Sequence, residues 1–262
     1  MNHFFLIKAY INYCLKAKSA HGIHSPFVFD FITNLLQDKR TFYAFDTIEN
    51  YRQELYKNDT ELNIEDFGAG SLKSNFKKRK ISDIAKTAGR NRKMGELLFR
   101  MVNYFDCKNS LELGTSLGIG SHYLALANTN SKVVTIEGSK EIFETSKANF
   151  EKNNLKNIEQ VLGNFDLVLD EVLEKNSAFD LIFIDGNHRE EPTINYFKKC
   201  LSKINDNTIL IFDDIHWSKG MQNAWESIKK DKAVTLSLDL FYFGIVFFRK
   251  EFKEKQHFVL KY

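Results

Sequence analysis

Glu112-Leu-Gly114-Thr-Ser-Leu-Gly118-Ile-Gly120 is the stretch on which the reading of this chain turns. The apolar run Ser110–Leu113 reads as a buried strand, and the spacing near Ser121–Ala127 reads as a helix. Glycines between them let backbone N–H groups come close to a ligand as the chain enters that helix. The spacing is GxxxGxG rather than the GxGxxG of nicotinamide-dependent enzymes. Glu137 follows 19 residues after Gly118, at the tip of the next strand. An acid about 20 positions on can accept hydrogen bonds from both hydroxyls of a ribose.

Outward from this turn the pattern is regular. A helix over Met94–Phe105 precedes it, and Val133–Ile136, Ile158–Leu162, Phe179–Ile184 and Thr208–Phe212 read as strands. Helices are expected between them at Lys140–Asn153, Leu167–Leu173 and Thr193–Ile204, with Pro192 in the first turn of the last. Met221, Ala224, Trp225 and Ile228 then mark one more helix at i, i+3, i+4, i+7. Alternating strands and helices imply right-handed crossovers and a parallel sheet covered on both faces. The end differs. Val234, Leu236, Leu238 and Leu240 alternate with polar residues, and a turn at Gly244 leads straight into Ile245–Phe248. With no helix between them, these two strands predict an antiparallel hairpin at one edge.

The first eighty residues read as helical. Ser25-Pro26 supplies an N-cap followed by proline in the first helical position, and Val28, Phe31, Ile32, Leu35 and Leu36 follow at helical spacing. The opening run MNHFFLIKAYINYCLKAKSA reads as an amphipathic helix docked on the chain's own core. Lys8 interrupts it, and no stretch reaches the roughly 18 apolar residues of a membrane span. The polar stretch around residues 66–80, with Phe67-Gly-Ala-Gly-Ser71, is the expected boundary. The domain reading is therefore a helical extension over 1–80, a lid or substrate region, and a catalytic domain over 81–262.

Composition narrows the class. At 262 residues with 43% hydrophobic and 27% charged side chains, the chain is globular rather than disordered. Cys14, Cys107 and Cys200 are too few and too scattered for a disulfide framework or a zinc site, which points to the cytoplasm. The net charge is only +3, yet residues 72–93 hold nine basic side chains, Lys73 and Arg90 among them, against Asp83 alone. Such a stretch could attract a polyanion.

Glu112, Gly114, Gly118 and Glu137 together resemble the cofactor site of class I S-adenosylmethionine-dependent methyltransferases. The resemblance covers roughly residues 81–262 and implies a Rossmann-like, doubly wound, mostly parallel α/β sheet ending in an antiparallel hairpin. It implies that Glu112 meets the ammonium side of the cofactor's methionine, Gly114 and Gly118 its backbone-facing edge, and Glu137 the ribose. Gly163-Asn164-Phe165 falls where the family contacts adenine. Lys93-Met-Gly95-Glu96 matches a helix start that approaches the cofactor carboxylate.

The fourth strand ends in Asp185-Gly-Asn-His188 and the fifth in Asp213-Asp214-Ile-His216. Converging carboxylates repel unless a cation or a proton neutralises them, and hard oxygen donors suit a divalent ion such as Mg²⁺. The arrangement is similar to metal-dependent O-methyltransferases of the catechol type and their bacterial Asp-Gly-x-His relatives. The resemblance implies a metal held by Asp185, Asp213 and Asp214, with Asp185 also near the cofactor. It makes His188 the general base, since an imidazole can take a proton at neutral pH. His216 is expected to face solvent, and His21 and His24 to sit in a turn fixed by Gly22 and Pro26. The expected activity is methyl transfer from S-adenosylmethionine to a hydroxyl of a small molecule. An RNA acceptor, tRNA in particular, is the alternative, on account of the basic stretch. No membrane partner is expected, and a homodimer is compatible with the family.

Overall fold

Uninterrupted apolar tetrads, Leu181-Ile-Phe-Ile184 and Ile209-Leu-Ile-Phe212, can only be strands covered on both faces, and all eight of these residues are buried. A computed structural model describes residues 3–65, 76–87 and 91–262. Its elements begin with helix α1 (His3–Lys16), α2 (Pro26–Phe31) running into a π-helical turn (Ile32–Leu36), and α3 (Tyr43–Tyr56). Strands β1 (Glu61–Glu65) and β2 (Phe76–Lys80) precede α4 (Ile81–Thr87) and α5 (Arg92–Tyr104). The alternating part follows: β3 (Asn109–Leu113), α6 (Ile119–Ala127), β4 (Lys132–Glu137), α7 (Lys140–Lys152), β5 (Ile158–Leu162), α8 (Phe165–Lys175) and β6 (Leu181–Ile184). Then come α9 (Glu190–Cys200), β7 (Ile209–Phe212), α10 (Lys219–Lys230), β8 (Leu236–Asp239), β9 (Gly244–Phe247) and β10 (Gln256–Val259).

The large sheet has the order β10-β8-β9-β7-β6-β3-β4-β5, and β1 pairs with β2 in a separate one. The fold is the expected Rossmann-like α/β sheet, mostly parallel with antiparallel pairs at β7–β9 and β8–β9. The chain divides into two units, Lys39–Leu169 and Met1–Asp38 with Asp170–Tyr262.

In the first unit β3, β4 and β5 are parallel neighbours. Leu111, Leu113, Val133, Val134 and Ile136 are buried, as are Leu97, Leu98, Met101 and Val102 along one side of α5. The glycine of that helix is explained by packing. A Cβ on Gly95 would stand 2.1 Å from the Tyr123 ring. Two expectations change here. Residues 61–65 and 76–80 pair as antiparallel strands, not helix, with Leu62 and Ile64 buried and their neighbours outward. The proposed boundary over 66–75 lies outside the described residues, as do Lys73 and Arg90 of the basic stretch.

In the second unit β6 and β7 run parallel, and the β8–β9 hairpin joins through β9. A further strand, β10, runs parallel to β8 outside the hairpin. Its Gln256-His-Phe-Val259 sequence is half polar and only partly covered, so it carries little strand signal. Ser25 stands at the N-cap position of α2 with extended backbone and Pro26 follows in the first turn, as anticipated, but the serine side chain makes no capping hydrogen bond. Helix α1 differs. It buries Ala9 and Tyr13, while Phe4, Ile7, Ile11 and Leu15 remain exposed.

Gly244 is where the hairpin meets α10. A Cβ there would come within 2.8 Å of both Ile215 and the buried Trp225 ring. Gly244→Ala is expected to cost about 1–3 kcal/mol by overpacking. Urea denaturation should show a lower midpoint with an unchanged slope.

Candidate active site

In the unit Lys39–Leu169, β3 delivers the chain into a turn where Gly114, Ser116 and Gly118 all have positive φ, at 110°, 49° and 82°. The amide of Gly114 donates to Ile136 O (3.0 Å) and that of Gly118 to Thr115 O (2.8 Å). Gly118 begins α6, and its left-handed backbone and the Phe150 ring, 2.5 Å from any Cβ, both require glycine. Glu137 closes this turn from the end of β4. Its carboxylate accepts from the Ser116 amide at 2.8 Å and from the Ser139 amide at 2.9 Å. Burial pushes its carboxyl upward, and these backbone amides pull it back. The Gly138 backbone amide donates to the same carboxylate.

Gly163 donates its amide to Glu137 O at 2.9 Å, bringing the end of β5 beside the end of β4. Asn164 starts α8, its side chain accepting from the Asp166 amide at 2.9 Å, and Phe165 follows half-buried. Glu112 differs from expectation. It is 1% exposed, and its Oε2 accepts from Ser121 Oγ and, at 2.7 Å, from Thr135 Oγ1. Its carboxylate ties β3 to α6 and β4.

Two residues near the turn carry no sequence signal of their own. His122 is fully buried one helical turn after Gly118, and its Nδ1 donates to Gly118 O at 2.6 Å. Tyr51, from the region with no matched motif, donates its hydroxyl to Leu117 O and stacks on His122 at 4.3 Å. Burial holds the imidazole neutral, pushing its pKa down to about 4, and holds the Tyr51 phenol far above its usual range.

In the other unit, Asp185 follows β6, and Asn187 and His188 both take positive φ, 64° and 26°. The turn is clamped through Asn187, which donates from Nδ2 to Tyr196 Oη (2.8 Å) and accepts from Arg189 Nε (2.6 Å). His188 Nε2 stands 3.7 Å from Asp185 Oδ1, an ion-pair distance when the ring is protonated but too long for a hydrogen bond. Both side chains are partly open to solvent, at 29% and 22%. Asp213 sits at the neighbouring strand end, its amide donating to Ile184 O at 3.0 Å.

The metal set is a correction. Among the described residues no three His, Cys, Asp or Glu side chains are grouped to hold an ion. The backbone turns left-handed at Asp214 (φ 54°), and Asp214 O accepts from the Trp217 amide in a tight turn. The expected set of Asp185, Asp213 and Asp214 is thus not grouped to hold an ion in this structure. His216 is corrected as well. Instead of facing solvent it is 15% exposed, 2.8 Å from Asp239 Oδ2, 3.1 Å from Gln222 Nε2, and stacked on Phe241.

Residues 111–215 match the family model described as a methyltransferase domain. That interval contains the glycine turn, Glu137 and the Asp185–His188 segment. Over that interval, less than half of the chain, it is similar to methyltransferase domains. Caffeoyl-CoA O-methyltransferase 2 of Petunia hybrida is 25% identical over 129 residues, 47% of this chain and 52% of that enzyme. The chain thus matches about half the length of that curated relative. Among solved structures, the SAH-bound methyltransferase PaMTH1 of Podospora anserina superposes with a TM-score of 0.60 at 14% identity, covering 87% of this chain and 97% of its own. The SAM complex of TomG, an O-methyltransferase of tomaymycin synthesis from Streptomyces achromogenes, gives 0.55 at 17% identity, with 80% and 91% covered. At such identities these two establish the fold.

Neutral His122 also sets a pH dependence for the stability of the unit Lys39–Leu169. The unfolded chain takes up a proton near pH 6.5, whereas the folded one resists until about 4. The stability conferred by neutral burial is therefore complete above pH 6.5 and lost as pH falls toward 4. Unfolding by urea at pH 7 and pH 5 should show this loss, and His122→Phe should reduce it.

Proposed function

We propose that the chain transfers a methyl group from S-adenosylmethionine to a hydroxyl oxygen of a small-molecule acceptor, with His188 as the base. The observation that carries this reading is the clasp of Glu137 on the left-handed turn at Gly114–Gly118, inside the interval that matches a methyltransferase domain. SAM in the TomG structure and SAH in PaMTH1 support the cofactor class. The likeness to a caffeoyl-CoA O-methyltransferase and to an O-methyltransferase of tomaymycin synthesis favours a small acceptor over RNA.

The residues fit that cofactor. Gly114 and Gly118 offer a backbone without side chains, and Glu137 offers its carboxylate to a ribose. Gly163, Asn164 and Phe165 would meet the adenine, and Asp185 would face the cofactor. Glu112 acts as a positioning residue through Ser121 and Thr135. S-adenosylmethionine supplies an already activated methyl group, so the protein's work is alignment and proton removal. His188 would take the hydroxyl proton as the acceptor oxygen bonds to the methyl carbon and the methyl–sulfur bond breaks, its electron pair going to the sulfur of S-adenosylhomocysteine, and Asp185 would stabilise the resulting imidazolium. No step is assigned to a metal, because the acidic side chains are not grouped to hold one.

Transfer of labelled methyl from S-adenosylmethionine to caffeoyl-CoA and other small phenols tests this reading. His188→Ala should slow transfer by about 10²–10⁴-fold while leaving cofactor affinity intact. A chelator should leave the wild-type rate unchanged. Full activity in His188→Ala would remove the base, and loss of activity in chelator would restore the metal.

A further inference from the structure

Helix α1 meets the rest of its unit through a narrow stripe. Ala9 and Tyr13 are buried, and Ala17 packs with them against Phe241. These residues, four apart, share one face. At about 100° per residue, Phe4, Ile7, Ile11 and Leu15 fall on roughly the opposite face. They are 76%, 60%, 53% and 80% exposed. A helix whose only purpose was to close the core would turn these side chains inward or replace them with polar ones. Isolated apolar side chains on a surface need no explanation, but four in one helical row do.

The charge around this row has one sign. Lys8, Lys16 and Lys18 are exposed, and no acidic residue occurs in the chain before Asp30. Pairing α1 with its copy would bring lysines together without carboxylates to offset them. A stable protein interface also engages roughly 20–30 residues a side. One face of a 14-residue helix supplies far fewer. An anionic bilayer meets both conditions, because an interfacial helix sinks only its apolar row and its cations meet lipid phosphates. Tyr10, 52% exposed, places an amphipathic ring where headgroups begin. No helix among the described residues is long and apolar enough to cross a membrane, so the contact is a surface one.

We propose that α1 docks this chain peripherally on an anionic membrane surface through the Phe4–Ile7–Ile11–Leu15 row and its flanking lysines. This does not depend on the assigned reaction. The test is sedimentation of the full chain with phosphatidylcholine vesicles, with and without phosphatidylglycerol, at low and high salt. Binding is expected to the anionic vesicles, weakened by salt. The double variant Ile7→Ser, Leu15→Ser should reduce it by about tenfold or more. Both side chains are exposed, so an unchanged melting temperature will show that the fold is intact. Three outcomes would overturn the proposal: no retention on anionic vesicles, equal retention on neutral ones, or retention unaffected by the double variant. A dimer that the same variant dissociates would do so too, giving the face to a second copy.

Discussion

The buried carboxylate of Glu137, held between the amides of Ser116 and Ser139, is the interaction on which the unit Lys39–Leu169 depends. One side chain fixes the turn after β3 and the exit from β4. Its backbone carbonyl receives the Gly163 amide and so places the turn after β5 as well. A carboxylate removed from water is costly unless its lone pairs are filled, and here backbone donors fill part of that need. The left-handed backbone at Ser116 is the strain that this arrangement sustains.

The same economy of means recurs after β6. Two consecutive left-handed residues, Asn187 and His188, are uncommon outside glycine, and Tyr196 and Arg189 hold the first of them by its amide. Asparagine tolerates this conformation because its short side chain bonds locally. The consequence is a histidine aimed by backbone geometry, partly solvated and beside a carboxylate.

Much of this was legible in the amino-acid order. Buried tetrads, glycine spacing and the acid 19 positions after Gly118 depend on residues close along the chain, and the parallel sheet follows from their alternation. What escaped depends on partners brought from afar. Glu112 turns inward because Thr135 comes from another strand, and Tyr51 reaches Leu117 across 66 positions. Strand β2 reads as a solvated basic run because Phe76-Lys-Lys-Arg-Lys80 has little to bury, and β10 is too short and polar to stand out. Adjacency of Asp213 and Asp214 in sequence does not tell how their side chains stand to Asp185, and the three are not grouped as an ion site.

The central claim is that the Glu137-clasped turn receives S-adenosylmethionine. Calorimetric titration of S-adenosylmethionine into the full chain, followed by displacement with S-adenosylhomocysteine, measures this directly. Saturable one-to-one binding that the product displaces is the predicted result. A folded chain that takes up neither compound would contradict the account.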